Sequence, residues 1–228
     1  AIISYYVSCK YTYLKDKNVK KLDKKIEKDI FKKVKALFFH KIGSFVVLST
    51  DNIIISNFLG LVTVGLYSNY YLIIDSVKKV FSLTINALTP TIGNMLVTDS
   101  KQKIFTAFKR IRFLNFWIST FAGVAILVII EPFISIWIGI DFLLPSVVLY
   151  VLIIDFYQKL MRSSYTVFKE AAGIYYEDRF VPLLESIVNI IVSIVLVKTI
   201  GLAGVFIGFL FTVLYGIFIN DDIFCKQF

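Results

Sequence analysis

The residues of this chain best suited to chemistry stand at helical spacing inside an otherwise apolar run. Tyr67, Tyr71, Asp75, Lys79, Ser82, Asn86, Pro90 and Gly93 recur every three or four positions, close to the period of an α-helix, and therefore share one face. Lys78 adjoins Lys79, and Asp75 reaches both, at i+3 and i+4. Two neighbouring cations with one acid leave a surplus positive charge that a phosphate would satisfy. Other apolar runs carry Ser44, Asp51 and Asn52; Asp155, Gln158, Lys159 and Arg162; and Glu185, Asn189 and Ser193. Charged groups at bilayer depth cost on the order of 3 kcal/mol each, so they mark either a wet, charged lumen or ion pairs that lock helices together. Both readings stand at this level.

Other chemistry finds no support. No P-loop, HExxH, paired CxxC or GxSxG motif occurs, so neither ATP-driven transport within this chain nor hydrolysis of a familiar kind is expected. No metal or cofactor is called for, and the protein is not expected to be an enzyme. The single histidine, His40, lies beside Lys41 at the edge of an apolar run and reads as incidental. Cys9 and Cys225 fall on the inner side of the expected topology, where a structural disulfide is not expected.

The elements that must position these residues follow from composition. Of 228 residues, 57% are hydrophobic and 18% charged, yet the net charge is +9. That apolar content exceeds what a water-soluble interior of this size holds, which makes lipid the expected solvent. Disulfide scaffolds, collagen-like repeats and disordered tails are excluded by 2 Cys, 11 aperiodic Gly and 16% aromatics. Nearly all the net charge sits between Lys10 and Lys41, where 12 Lys face four acids. Beyond it come six apolar stretches, 36–59, 64–97, 113–130, 143–165, 181–198 and 202–219, each near the ~20 residues that a helix needs to cross. The breaks between them contain Gly60, Gly65, Asp99, Pro132, Gly139, Pro145, Gly173, Pro182 and Gly201.

Strict alternation from a cytoplasmic basic segment puts loops 98–112 and 159–180 and the C-terminal tail on that side. It then holds 22 basic residues, and the opposite side only Lys198, as the positive-inside rule requires. Trp117 and Trp137 suit the two interfaces. The fold class expected is an all-α membrane protein with a six-transmembrane-helix bundle. Its second span, 64–97, would be about 50 Å long against a hydrocarbon core of about 30 Å, so it should tilt, bend at Pro90 or project. Residues 18–35 form an amphipathic pattern with Val19, Leu22, Ile26, Ile30, Phe31 and Val34 on one stripe, suited to a surface connector or to lying on anionic headgroups. Residues 164–178 read as a second interfacial helix.

The runs HKIG (40–43), TDNIIISNFLGLVTVGLYSNYYLII (50–74), FKRIRFLNFW (108–117), PFISIWIG (132–139) and YEDRFVPLLESIVNIIVSIVLVKTIGLAGVFIG (176–208) resemble the oligosaccharide flippases of the O-antigen, teichoic-acid and capsular-polysaccharide group. That group belongs to the superfamily that includes multidrug (MATE-like) exporters and the lipid II flippase. The resemblance implies a bacterial cytoplasmic-membrane protein with two pseudo-symmetric six-helix lobes. It would move an undecaprenyl-diphosphate-linked glycan between leaflets by alternating access. Residues 1–9 would then end a preceding transmembrane helix, 10–35 would be a basic cytoplasmic inter-lobe connector, 36–220 the second lobe (helices 7–12) and 221–228 a cytoplasmic tail. The partners implied are the polyprenyl-diphosphate-linked glycan, membrane lipids and the missing N-terminal lobe, with no nucleic acid. On that reading the chain is a fragment whose activity belongs to a longer chain or a pair of chains.

Within that frame, Lys78 and Lys79 would meet the diphosphate and Asp75 would hold or neutralise them. Tyr67 and Tyr71 would stack on sugar rings, and Arg162 would contact substrate. Asp51, Asn52, Asp155, Glu185 and Asn189 would line the cavity or serve cation coupling. The competing expectations are a cation-coupled multidrug exporter of the same superfamily, a membrane-embedded glycan polymerase or transferase, and a non-transporting membrane scaffold. The external loop 131–142, with Glu131 and Asp141 but no Arg, argues against the polymerase.

Overall fold

A computed structural model of the protein describes residues 23–174, 180–208 and 210. The chain divides into two compact units, Ala1–Lys35 and Ala36–Phe228, and every helix contact discussed below lies within the second. The expectations for residues 1–22, most of the last span at 202–219, the Asp178–Arg179 part of the family-like motif and the tail 221–228 lie outside the described residues.

The described residues are helical and contain no strand. Helix α1 covers Lys24–Leu59, α2 Leu61–Asn86, α3 Thr89–Thr98 and α4 Lys101–Trp137. A short 3-10 turn at Ile140–Phe142 leads to α5, Ser146–Ala172, and α6, Val181–Ile200, followed by helical backbone at 202–208. Of the expected amphipathic stripe, Ile26, Ile30, Phe31 and Val34 lie on α1 and are exposed; Val19 and Leu22 lie outside the described residues.

Among the described residues, three segments are long and apolar enough to cross a membrane: Leu61–Thr98, Lys101–Trp137 and Val181–Ile200. Helix α5, expected to be a span, does not meet that standard, because Asp155, Lys159 and Arg162 interrupt its apolar run. Instead it is the central helix, packed against α2, α3 and α4. Charged residues are tolerated there because protein, rather than solvent lipid, surrounds them.

Prolines and glycines explain where the helices stop. The long second stretch breaks at Asn86, four residues before Pro90. A proline ring clashes with the carbonyl four positions back, and Pro90 is tolerated in the first turn of α3, where its missing N–H is not needed. The expected bend is therefore a two-residue break, after which α3 packs beside α4 and α5. Gly65 does not break α2, nor does Pro132 end α4, which runs on to Trp137. Inside a packed apolar helix the loss of one backbone bond is absorbed locally. Helix α5 ends at Gly173, whose φ of 69° suits glycine, with Gly173 N–H donating to the Glu170 carbonyl and Ile174 N–H to that of Lys169.

Two expected loops are also helix. Lys101, Lys103, Lys109, Arg110 and Arg112 form the first turns of α4, and Lys159, Arg162 and Lys169 belong to α5. The separate interfacial helix expected at 164–178 is, as far as Ala172, the end of α5. Both corrections have one cause: a second apolar cluster lies at this end of the bundle. Ile85, Ile92, Ile104, Phe108, Tyr165, Val167 and Phe168 pack together there, so burial continues past the length needed to cross. The main cluster joins Ile54 and Ile55 of α1, Tyr70 and Ile74 of α2, Ile126, Ile130 and Ile134 of α4, and Leu149, Leu152 and Phe156 of α5.

The surface chemistry is inverted relative to a water-soluble bundle. On α6, Ser186, Asn189 and Ser193 are buried, while Leu184, Ile187, Val188, Ile191 and Val195 are exposed. Polar groups inside and aliphatic groups outside is the pattern favoured when the surrounding solvent is hydrocarbon. On α4, Trp117 and Trp137 are both exposed and 20 residues apart, which is about 30 Å along a helix and matches the hydrocarbon thickness.

Helices α4 and α5 are joined by Asn115, whose buried amide donates to the Leu160 carbonyl at 2.7 Å. Asn115→Leu keeps the branched side-chain shape and removes this bond. It is expected to lower stability by about 1 kcal/mol, the upper range for interhelical bonds in membrane proteins, read as a lower unfolding midpoint in detergent micelles.

Candidate functional site

The site is built on α2 and α5, with the end of α1 beside them. Asp75 is buried and clamped by both lysines, Lys78 Nζ lying 2.5 Å from one carboxylate oxygen and Lys79 Nζ 2.9 Å from the other. The two cations differ in setting, since the Lys78 side chain is 23% exposed and that of Lys79 72%. One turn on from Asp155, Lys159 closes an ion pair with it at 2.7 Å. Both pairs are i to i+3 or i+4 contacts, so the helical backbone itself holds the partners together.

Tertiary packing then converges these local pairs. Tyr67, Tyr71, Asp75, Lys78, Asp155 and Lys159, with Ile74, Leu152 and Phe156, line a cavity of about 20 Å³ between α2 and α5. A second cavity of about 60 Å³ is lined by Asp51, Asn52, Tyr67, Tyr71, Asp155, Lys159 and Phe206. These volumes hold a few water molecules. Tyr67 is wedged between Tyr71 and Phe206, with ring centroids 5.6 Å and 4.7 Å away. One carboxylate oxygen of Asp155 and one of Asp51 are buried and accept no hydrogen bond from the described residues. Because both residues line the larger cavity, water or a small cation there would meet acceptors in need of a partner.

Arg162, Glu185 and Asn189 stand apart from these cavities. Arg162 donates to both oxygens of Glu185, at 2.8 and 3.2 Å, a two-pronged pair that ties α5 to α6. Asn189 is fully buried, and its amide has no hydrogen-bond partner among the described residues. Its neighbour Ser193 donates to the Val205 carbonyl at 3.1 Å, joining α6 to the stretch after it.

Asp75 pairs with both Lys78 and Lys79, Asp155 with Lys159, and Glu185 with Arg162. Asp51 shares the lining of the larger cavity with Lys159 and Asp155 and forms no ion pair among the described residues, so the two lysines on α2 still share the single acid Asp75. Sequence reasoning did not single out Tyr70, whose buried hydroxyl accepts a hydrogen bond from Leu144 N–H at 3.1 Å. It also passed over Asn115, although a lone amide in an apolar run was a legible signal, and Phe206, which had none. Among the described residues no group of acids, His and Cys suits a metal ion.

The class that these features define is a helical membrane protein, with apolar side chains outward and paired charges within. No protein-family model, curated protein or solved structure matches the chain.

The Arg162–Glu185 pair separates a strut from a working group. Removing one partner of a partly buried, two-pronged pair strands the other, so Arg162→Met or Glu185→Leu alone is expected to cost about 2 kcal/mol. The double variant should recover most of that loss. A double-mutant cycle on unfolding midpoints measures the coupling.

Proposed function

We propose that this helical unit is one lobe of an exporter that moves a polyprenyl-diphosphate-linked oligosaccharide across a bacterial cytoplasmic membrane by alternating access. The observation that carries the reading is the meeting of α1, α2 and α5 at one row of tyrosines, carboxylates and lysines inside an otherwise apolar bundle. Structural locking alone needs ion pairs, but it does not need solvent-sized space beside them. The motif resemblance supplies the substrate class.

The roles follow from exposure. Lys79, held by Asp75 yet largely exposed, presents its ammonium outward and is the group for the diphosphate. Lys78 and Asp75 set its position. Tyr71, at the helix surface, offers a ring for a sugar face, whereas buried Tyr67 supports it. Asp51, Asn52 and Asp155, facing the larger cavity, suit cation coupling. Arg162 and Glu185 act as a strut.

A second reading, cation-coupled export of an apolar compound, is favoured by two observations. The residues around the two cavities include three acids, Asp51, Asp75 and Asp155, against two lysines, Lys78 and Lys159. In addition, an apolar groove of about 610 Å³ lies between α2 and α4, lined by Leu72, Val77, Phe81, Phe121, Ile129, Phe133 and others.

The test is complementation of a glycan-export null strain by the full gene. Lys78→Ala with Lys79→Ala is expected to reduce surface glycan at least tenfold at unchanged protein level, and Lys79→Arg to retain it, since phosphate binding needs the charge. Normal export by the double alanine variant overturns the diphosphate role. Unchanged glycan together with altered drug susceptibility supports the second reading.

A further inference from the structure

Helix α4 changes character sharply at Arg112. Before it, Lys101, Lys103, Lys109, Arg110 and Arg112 occupy three turns; after it, Phe113, Leu114, Phe116, Trp117 and Ile118 are all exposed. The aromatic groups form a collar, with Trp117 edge-on to Phe113 at 6.3 Å and to Phe116 at 6.1 Å. An exposed, mutually packed aromatic cluster where the apolar part of a helix able to cross a bilayer begins belongs at the acyl–headgroup boundary.

The basic residues above the collar are not equivalent. Arg112 points toward α5, its guanidinium 5.0 Å from the Tyr165 ring centroid. Lys109 lies 4.5 Å over the Phe105 ring, and Arg110 is exposed and in no ion pair among the described residues. At 100° per residue, Lys109 and Arg110 flank the outward direction of Phe113, so cations and collar share a face. They stand seven and eight residues before Trp117, roughly 10–12 Å along the axis, within side-chain reach of a headgroup layer about 5–8 Å thick. Lys101 and Lys103, at roughly 21–24 Å, lie beyond it.

We propose that Lys109 and Arg110, with the Phe113–Phe116–Trp117 collar, form a binding site for an anionic phospholipid in the leaflet that meets the Lys101 end of α4. The guanidinium and ammonium take the headgroup phosphate, and the collar packs on the first segments of the acyl chains. The occupant is a bilayer lipid because the cations and the apolar rings lie at successive depths on one outward face. A free anion would gain nothing from the rings. This site does not depend on the exporter reading.

The chain offers its own reporter, since Trp117 and Trp137 are its two tryptophans. With Trp137→Phe, Trp117 fluorescence of the full chain in phosphatidylcholine vesicles reports the lipid against the collar. Brominated phosphatidylglycerol is expected to reach half-maximal quenching at about a tenfold lower mole fraction than brominated phosphatidylcholine, in keeping with two cations near the surface. Lys109→Gln with Arg110→Gln should abolish that preference, whereas Lys101→Gln with Lys103→Gln should leave it. Quenching by brominated phosphatidylcholine in every variant verifies insertion. Equal quenching by the two lipids in the parent overturns the site. So does a preference that survives the 109/110 change, or one lost equally on the 101/103 change, which would indicate diffuse surface charge.

Discussion

Helix α5 carries Asp155, Lys159 and Arg162 through the middle of an apolar assembly, and the other helices are arranged so that those charges have company. An ion exposed to hydrocarbon costs several kcal/mol, whereas one paired and enclosed by protein costs far less. Lys159 answers Asp155 from the same helix, and Glu185 answers Arg162 from α6. Helices α2, α3 and α4 pack around α5, so its charges in mid-helix are enclosed by protein.

From that constraint the site follows. Once α2 lies against α5, its tyrosines and Asp75 meet Asp155 and Lys159, and the end of α1 adds Asp51 and Asn52. The same enclosure decides which groups remain available. Arg162 and Glu185 satisfy each other, leaving little to offer a ligand, while Lys79 and unbonded oxygens of Asp51 and Asp155 retain capacity. Proposed function therefore concentrates on the α1–α2–α5 row rather than on every ionisable residue in the apolar runs.

The outside of the bundle obeys the complementary rule. Aliphatic and aromatic side chains face outward on α4 and α6, and the serines and asparagines face inward. On α4 that outward face ends at an aromatic collar and passes directly into basic residues, so one continuous helix records the boundary between two solvents. The second apolar cluster, of Ile85, Ile92, Ile104, Phe108 and Phe168, explains why the helices persist beyond that boundary. It supplies packing where lipid no longer does.

Much of this was legible in the chain itself. Hydrophobic runs marked apolar helices at 64–97, 113–130 and 181–198, and i to i+3 and i+4 spacing placed Lys78 and Lys79 on Asp75, because a helix fixes those distances locally. Pro90 marked one place where the long second stretch could bend, and the helix breaks after Asn86, four residues earlier, where the proline ring clashes with the carbonyl. Other features depended on neighbours distant in sequence. Whether Pro132 would end α4, and whether residues 101–112 were loop or helix, was decided by packing against α5. Spacing put Lys78 and Lys79 on one acid, whereas tertiary structure gathered Asp51, Asp155 and Lys159 around one cavity and paired Arg162 with Glu185. Periodicity thus determined which residues share a helix face; only the assembly of helices decided which faces meet, because charge pairing and burial between segments depend on contacts that no local pattern encodes.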